Sequence, residues 1–358
     1  EVKLVKTLFY KIDRDRPDPR IMEAAADIIR RGGLVAFPTE TVYGLGANGL
    51  DAAAVARIFA AKGRPADNPL ILHIADREEL DEWVAAVPDW LEPLLAKFWP
   101  GPFTVVLPRS SAVPDIVTAG LDTVAVRLPS LGAARELIRA AGVPIAAPSA
   151  NLSGRPSPTT AAAVMADMEG RIEMVLDAGP CEVGLESTVL DCVSQPPTIL
   201  RPGGVTQEML EAHLSQVRAA GRQNVGDKTV PRAPGMKYRH YAPAAPLVLF
   251  PAGSAEAWRN YLARPLIQAV SAALQTGKTV GAVVSEELAD LLPPGVTLAI
   301  YGSRERPAEN AAGLYEALRF FDDHPVDVIF AEGVREEGIG RALMNRLYKA
   351  ASSVGEGV

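Results

Sequence analysis

The sequence predicts an α/β protein of two domains, and three observations carry that prediction. Apolar residues alternate between helical spacing and short buried runs along almost the whole chain, the pattern of sheets flanked by helices. At 358 residues the chain exceeds the usual size of one domain. Residues 219–246 have no hydrophobic period, are rich in Gly and Pro, and hold five basic side chains against one acidic, which reads as a linker. The expected division is a first domain at 1–218, a linker at 219–246 and a smaller C-terminal α/β domain at 247–358.

After a strand-like start, Pro19 to Arg31 places Ile21, Ala25, Ile28 and Ile29 at helical spacing before Gly32-Gly33 stops the helix. Leu34 to Phe37 is a short buried strand. Pro38 removes a ladder donor, and a loop from Thr39 to Asn48 follows, first hydroxyl-rich and then glycine-rich. Thr39 and Thr41 share a face by the period of two, and Gly44 and Gly46 allow backbone to approach a ligand. The alternative is a tight turn whose threonines only cap local backbone.

Asp51 caps a helix from Ala52 to Ala61, which runs into Lys62-Gly63-Arg64-Pro65-Ala66-Asp67-Asn68-Pro69 and the strand Leu70 to Ile74. Helices at about Glu78 to Val87 and Trp90 to Phe98 precede a turn at Trp99-Pro100-Gly101-Pro102 and a strand from Phe103 to Leu107. On the strand Thr123 to Leu128, Thr123, Ala125 and Arg127 face one way and Val124 and Val126 the other. A helix from Gly132 to Ala141 leads to the strand Val143 to Ala147, which empties into Pro148-Ser149-Ala150-Asn151-Leu152-Ser153-Gly154-Arg155-Pro156-Ser157. Val175 to Asp177, Ser187 to Asp191 and Thr198 to Leu200 are further strands, the last delivering Arg201, and a helix from Thr206 to Ala220 closes the domain. In the C-terminal part, strands at 247–250, 279–284, 297–301 and 327–331 alternate with helices at about 255–276, 286–292, 308–322 and 340–351, which predicts a mostly parallel sheet.

Composition narrows the function. A net charge of −7 argues against a surface wholly devoted to nucleic acid. No apolar run approaches the roughly 18 residues of a membrane span, and no signal-peptide pattern opens the chain, so a cytoplasmic location without a membrane partner is expected. Cys181 and Cys192 give neither a zinc spacing nor a disulfide framework. P-loop, dinucleotide-fingerprint and zincin signatures are all missing, which leaves a dispersed site built from cations and hydroxyls at strand ends.

Lys62 and Arg64, held beside two prolines, suit a polyanion, although two cations meeting a helix dipole is the plainer reading. Arg127 in a valine-rich strand requires a carboxylate or phosphate partner. His73 is either a ligand or a satisfied core histidine, and Ser149, Asn151 and Ser153 either a site or a capped turn. In the linker, Met236 to Pro243 packs two aromatics, a histidine and two cations together, which a solvated linker does not need.

Six blocks in order resemble the YrdC-type threonylcarbamoyl-AMP synthase family in its long two-domain form: Pro38 to Gly46, Lys62 to Leu70, Ser149 to Gly154, Glu186 to Val189, Arg201 to Gly203, and Lys237 to Pro243. Gly338 to Leu347 resembles its second domain. The resemblance implies a twisted mixed sheet with flanking helices, and a reaction in which L-threonine, bicarbonate (or CO2) and ATP give threonylcarbamoyl-AMP and pyrophosphate. It implies Lys62 and Arg64 as catalytic cations, Thr41, His73, Arg127 and Ser187 as the threonine site, and Arg64, Asn68, Thr123, Ser149, Asn151, Ser157, Arg201, His240 and Tyr241 as the nucleotide site. Mg2+ is expected to accompany ATP, with no protein metal site. The product is expected to pass to a transferase acting on adenosine 37 of tRNA, and the linker to close as a lid. An RNA-binding module and a carbamoyl-adenylate enzyme for another substrate are the competing readings.

Overall fold

A computed structural model describes residues 5–219, 231–232, 240–252 and 263–355. The described residues fall into two compact units. The first contains strands β1 (Leu8–Lys11), β2 (Val35–Phe37), β3 (Gly44–Asn48), β4 (Ile71–His73), β5 (Phe103–Pro108), β6 (Thr123–Arg127), β7 (Ile145–Ala147), β8 (Met174–Asp177), β9 (Thr188–Asp191), β10 (Thr198–Arg201) and β11 (Arg218–Ala219). Among the described residues they form one mixed sheet in the order β1-β8-β2-β3-β7-β4-β6-β5-β9-β10-β11. Both faces are covered. Leu34 and Ala36 point into one core with Leu45, Leu72, Val105 and Val126, whereas Val35 and Phe37 point into another. The second core includes the helices Pro19–Arg30 and Gly132–Ala141, whose Ile29 and Leu137 are fully buried. Alternation along one strand thus feeds two layers.

Several expectations need correction. Gly44–Asn48 is a strand, antiparallel to β2, rather than a loop. Its glycines make room for packing: a Cβ on Gly46 would lie 2.8 Å from Ile145 Cγ2 and 3.0 Å from the Phe37 ring. The helix expected from Thr206 to Ala220 stops at Glu211, and Arg218–Ala219 pairs with β10 instead. The helix expected near Glu78 to Val87 is one 3-10 turn followed by Leu80–Trp83. The helix Ala161–Met168, capped by Thr160, lies where no element was expected.

The second unit holds β12 (Leu247–Phe250), β13 (Val280–Val284), β14 (Val296–Ile300), β15 (Val328–Glu332) and β16 (Ser353–Val354), in the order β14-β13-β15-β12-β16 with every described pairing parallel. Helices Ala263–Gln275, Glu286–Ala289, Pro307–Asp323 and Ile339–Ala350 alternate with them. Part of the helix expected at 255–276 lies outside the described residues. Gly154–Pro156 and Val183–Leu185 cluster with this unit. Here Arg319 Nη2 donates to Pro156 O at 2.5 Å, Ala242 N donates to Gly154 O at 2.9 Å, and Arg155 pairs with Asp322.

Candidate active site

Strands β4, β6 and β5 are neighbours, and their register sets His73, Arg127 and Thr104 side by side. Cross-strand partners point to one face, so these three side chains share it. Arg127 is only 4% exposed, and a guanidinium cannot stay there unpaired. Its Nη2 donates to Glu40 Oε1 at 2.6 Å, its Nη1 to Thr41 Oγ1 at 2.9 Å, and its Nε to Gly101 O at 3.3 Å. Glu40 Oε2 accepts from Ser130 N at 3.1 Å.

The threonine turn contains the local cap. Thr39 Oγ1 accepts from Thr41 N and Val42 N at 3.1 and 3.2 Å, which is the local cap, and lies 2.8 Å from Thr41 Oγ1. The cap fixes the backbone that presents Glu40 and Thr41 to Arg127.

Burial, and after it the Arg127 charge, lowers the His73 pKa to about 3, so the imidazole is neutral at physiological pH. Its Nδ1 has no hydrogen-bond partner among the described residues, and Phe37 packs edge-on against the ring at 6.0 Å. A buried nitrogen without a partner is rare in a folded protein and calls for an explanation. On the other side of Arg127, Thr104 Oγ1 and Ser187 Oγ are 2.7 Å apart. Arg201 donates to Ser187 from Nε to O at 3.0 Å and from Nη2 to Oγ at 3.1 Å. Gly203 permits this approach, since a Cβ there would lie 2.3 Å from Thr188 N and 2.4 Å from Glu186 O. Ser157 Oγ donates to Glu186 Oε1 at 2.5 Å.

Lys62, the last residue of the helix Ala52–Lys62, is buried, and its Nζ donates to Ser149 O and Asn151 O, both at 2.5 Å. Ser149 Oγ donates to Asn151 Oδ1 at 2.5 Å. The lysine and the serine–asparagine block therefore meet, as two cations at a solvated helix end would not. Ala150 N donates to Tyr43 O at 2.9 Å, which ties this loop to the threonine turn. Arg64 Nη2 donates to Pro69 O at 3.2 Å and Asn68 O at 3.3 Å. Asn68 is fully buried with neither carboxamide atom paired among the described residues.

Two further parts of the expected site are Thr123 and the His240–Tyr241 pair. Thr123 begins β6, about 13 Å from Arg127 at about 3.3 Å per residue, beside Pro108. Tyr241 is buried in the second unit with φ +65°, its ring 5.2 Å from that of Tyr315 and beneath Arg346, and His240 packs 5.6 Å from Tyr241. Lys237, Tyr238 and Arg239 of the expected lid lie outside the described residues. Sequence reasoning missed Glu40, Thr104 and Glu186. Glu40 had a signal, being the one charged residue between Gly32 and Gly49.

Comparison with known proteins decides the family. Residues 27–203 match the family described as Telomere recombination, and residues 205–352 match Threonylcarbamoyl-AMP synthase, C-terminal domain. A threonylcarbamoyl-AMP synthase of Pyrococcus abyssi is 47% identical over 339 residues, covering 94% of this chain and 96% of that protein. The chain belongs to the threonylcarbamoyl-AMP synthase family. Another threonylcarbamoyl-AMP synthase, of Bacillus subtilis, is 48% identical over 340 residues, covering 93% of each. The crystal structure of P. abyssi Sua5 complexed with L-threonine superposes with a TM-score of 0.89 at 45% identity, over 97% of this chain and 99% of that one. Resemblance to the threonylcarbamoyl-AMP synthase family thus extends from six short blocks to the fold of both units.

Proposed function

We propose that this protein makes threonylcarbamoyl-AMP from L-threonine, bicarbonate or CO2, and ATP, releasing pyrophosphate, and so acts as a nucleotidyltransferase. One observation carries the reading. Thr41, Ser187 and Arg201, from three separate blocks, and Arg127 on β6 are buried, and the bonds and strand register of Arg127 and Thr104 link them into one polar set. Membership of the family and the threonine complex of its P. abyssi relative support threonine as substrate.

The chemistry asks for positioning more than for a strong base. The free threonine amine adds to CO2, the resulting carbamate oxygen attacks the α-phosphorus, and pyrophosphate leaves. Holding three reactants together supplies roughly 7–11 kcal/mol of such a barrier. Arg127 would take the threonine carboxylate through its remaining N–H groups, while Thr41, neutral His73 and Ser187 line the rest of the amino acid. Lys62 and Arg64 supply positive charge toward the phosphates, with Asn68, Ser149, Asn151, Ser157 and Arg201 around the nucleotide. No nucleophilic side chain is needed; burial pushes the Cys181 thiol up to about 12.

Among the described residues no three His, Cys, Asp or Glu side chains come together as metal ligands. Mg2+ is proposed as the counter-ion that ATP carries, held by phosphate oxygens and water. We place the reaction in the cytoplasm, in keeping with two buried free cysteines, and its product in the hands of a transferase acting on adenosine 37 of tRNA. No helix among the described residues is long and apolar enough to cross a membrane.

The test is product identity. Incubation with ATP, L-threonine and isotopically labelled bicarbonate should yield, by mass spectrometry, an adenylate carrying the label. An unlabelled adenylate, or none, would contradict the reading.

A further inference from the structure

Glu40 has no part in the reaction just described, yet both of its carboxylate oxygens are held. It lies in an otherwise uncharged stretch, buried at 4% exposure, one residue after the Thr39 cap. Each of its oxygens is anchored to a different piece of chain: Oε1 to Arg127 Nη2 at 2.6 Å on β6, and Oε2 to Ser130 N at 3.1 Å in the following loop. A buried carboxylate tied at both ends does more than neutralise a charge, since it fixes the plane of the group it holds.

A guanidinium has five N–H groups in a rigid fork. On Arg127 one goes to Gly101 O, one to Thr41 Oγ1 and one to Glu40 Oε1. The remaining two sit one on each terminal nitrogen and are free to donate to a carboxylate. Without Glu40, Arg127 would keep only neutral acceptors, and its long side chain would lose the contact that sets which way that pair faces. We propose that Glu40 is the positioning residue for the amino-acid substrate: it orients the Arg127 guanidinium so that the two remaining donors meet the threonine carboxylate. This assignment rests on the reading that the site binds threonine.

The consequence is a selective effect on one substrate. Glu40 acts through Arg127, so its loss weakens threonine binding and leaves ATP binding alone, which a merely structural acid would not do. The experiment measures initial rates of pyrophosphate release against threonine and against ATP, for wild type, Glu40→Gln, Glu40→Asp and Glu173→Gln. Glu173 is the control, a carboxylate that pairs with Arg57 and accepts from Leu34 N elsewhere in the same sheet. Glu40→Gln is expected to raise KM for threonine on the order of tenfold or more, with KM for ATP within about twofold of wild type. Glu40→Asp keeps the charge but shortens the reach, and should show the same split in milder form; it decides the matter if the glutamine variant does not fold. Glu173→Gln should show no split.

A threonine KM that is unchanged or lowered, or a parallel rise in both KM values tracking lost thermal stability, would overturn the assignment. Wild-type release that does not depend on threonine would instead overturn the reading of the site itself, and this assignment with it.

Discussion

His73 shows how much the surroundings of a side chain add to its identity in the sequence. A histidine on an apolar strand suggested either a ligand or a satisfied core residue, and the structure gives a neutral imidazole with an orphaned Nδ1 beside Arg127. Its pKa is lowered to about 3 from an ordinary 6.5, chiefly by burial. The unfolded chain therefore binds a proton that the folded one refuses, so this contribution to stability is complete above pH 6.5 and is lost progressively as pH falls toward 3. Thermal unfolding followed from pH 7 downward should show His73→Gln losing less stability than wild type over that window. Parallel curves would mean that the imidazole is protonated in the folded state. Arg127 was legible in part: a guanidinium in a valine-rich strand announced the need for an anion, but Glu40 as that anion was not, because their contact spans 87 positions of sequence. Lys62 was legible as important, whereas its grip on the loop at Ser149 and Asn151 depends on a fold that brings two distant turns together.

Among the elements, strands with strong apolar runs were read within a residue or two, as with Phe103–Pro108 and Leu247–Phe250. Those that rely on neighbours were not. Gly44–Asn48 carries two glycines and reads as loop, yet the Phe37 ring covers Gly44 and Gly46 and makes them strand residues by packing rather than propensity. Arg218–Ala219 is two exposed residues whose strand identity comes only from pairing with β10. The turn after β10 offers a test at this scale. Gly203 lies so close to the Glu186–Thr188 backbone that a Cβ would come within 2.5 Å of Ser187 C. Gly203→Ala should cost about 1–3 kcal/mol in urea unfolding, or more, and should also lower activity by displacing Ser187 from Arg201. Unchanged stability would show that the close approach is relieved by a small backbone shift.

Taken as a whole, the chain carries a net charge of −7 while its candidate site gathers Lys62, Arg64, Arg127 and Arg201. That distribution suits a small polyanionic substrate better than a nucleic acid spread over a surface. The alternation of helices and strands foretold the parallel sheet of the second unit, and the six blocks foretold the family, but neither told which unit Tyr241 joins. Its ring packs against Tyr315, a choice made by tertiary aromatic contacts and invisible in local composition. The central claim is that the buried set around Arg127 and Lys62 couples threonine to ATP. Its most direct test is pyrophosphate release from ATP by the full chain, with and without bicarbonate, in the presence of L-threonine, L-serine or no amino acid. The account predicts release that requires bicarbonate and is fastest with threonine. Release indifferent to the amino acid, or none at all, would contradict it.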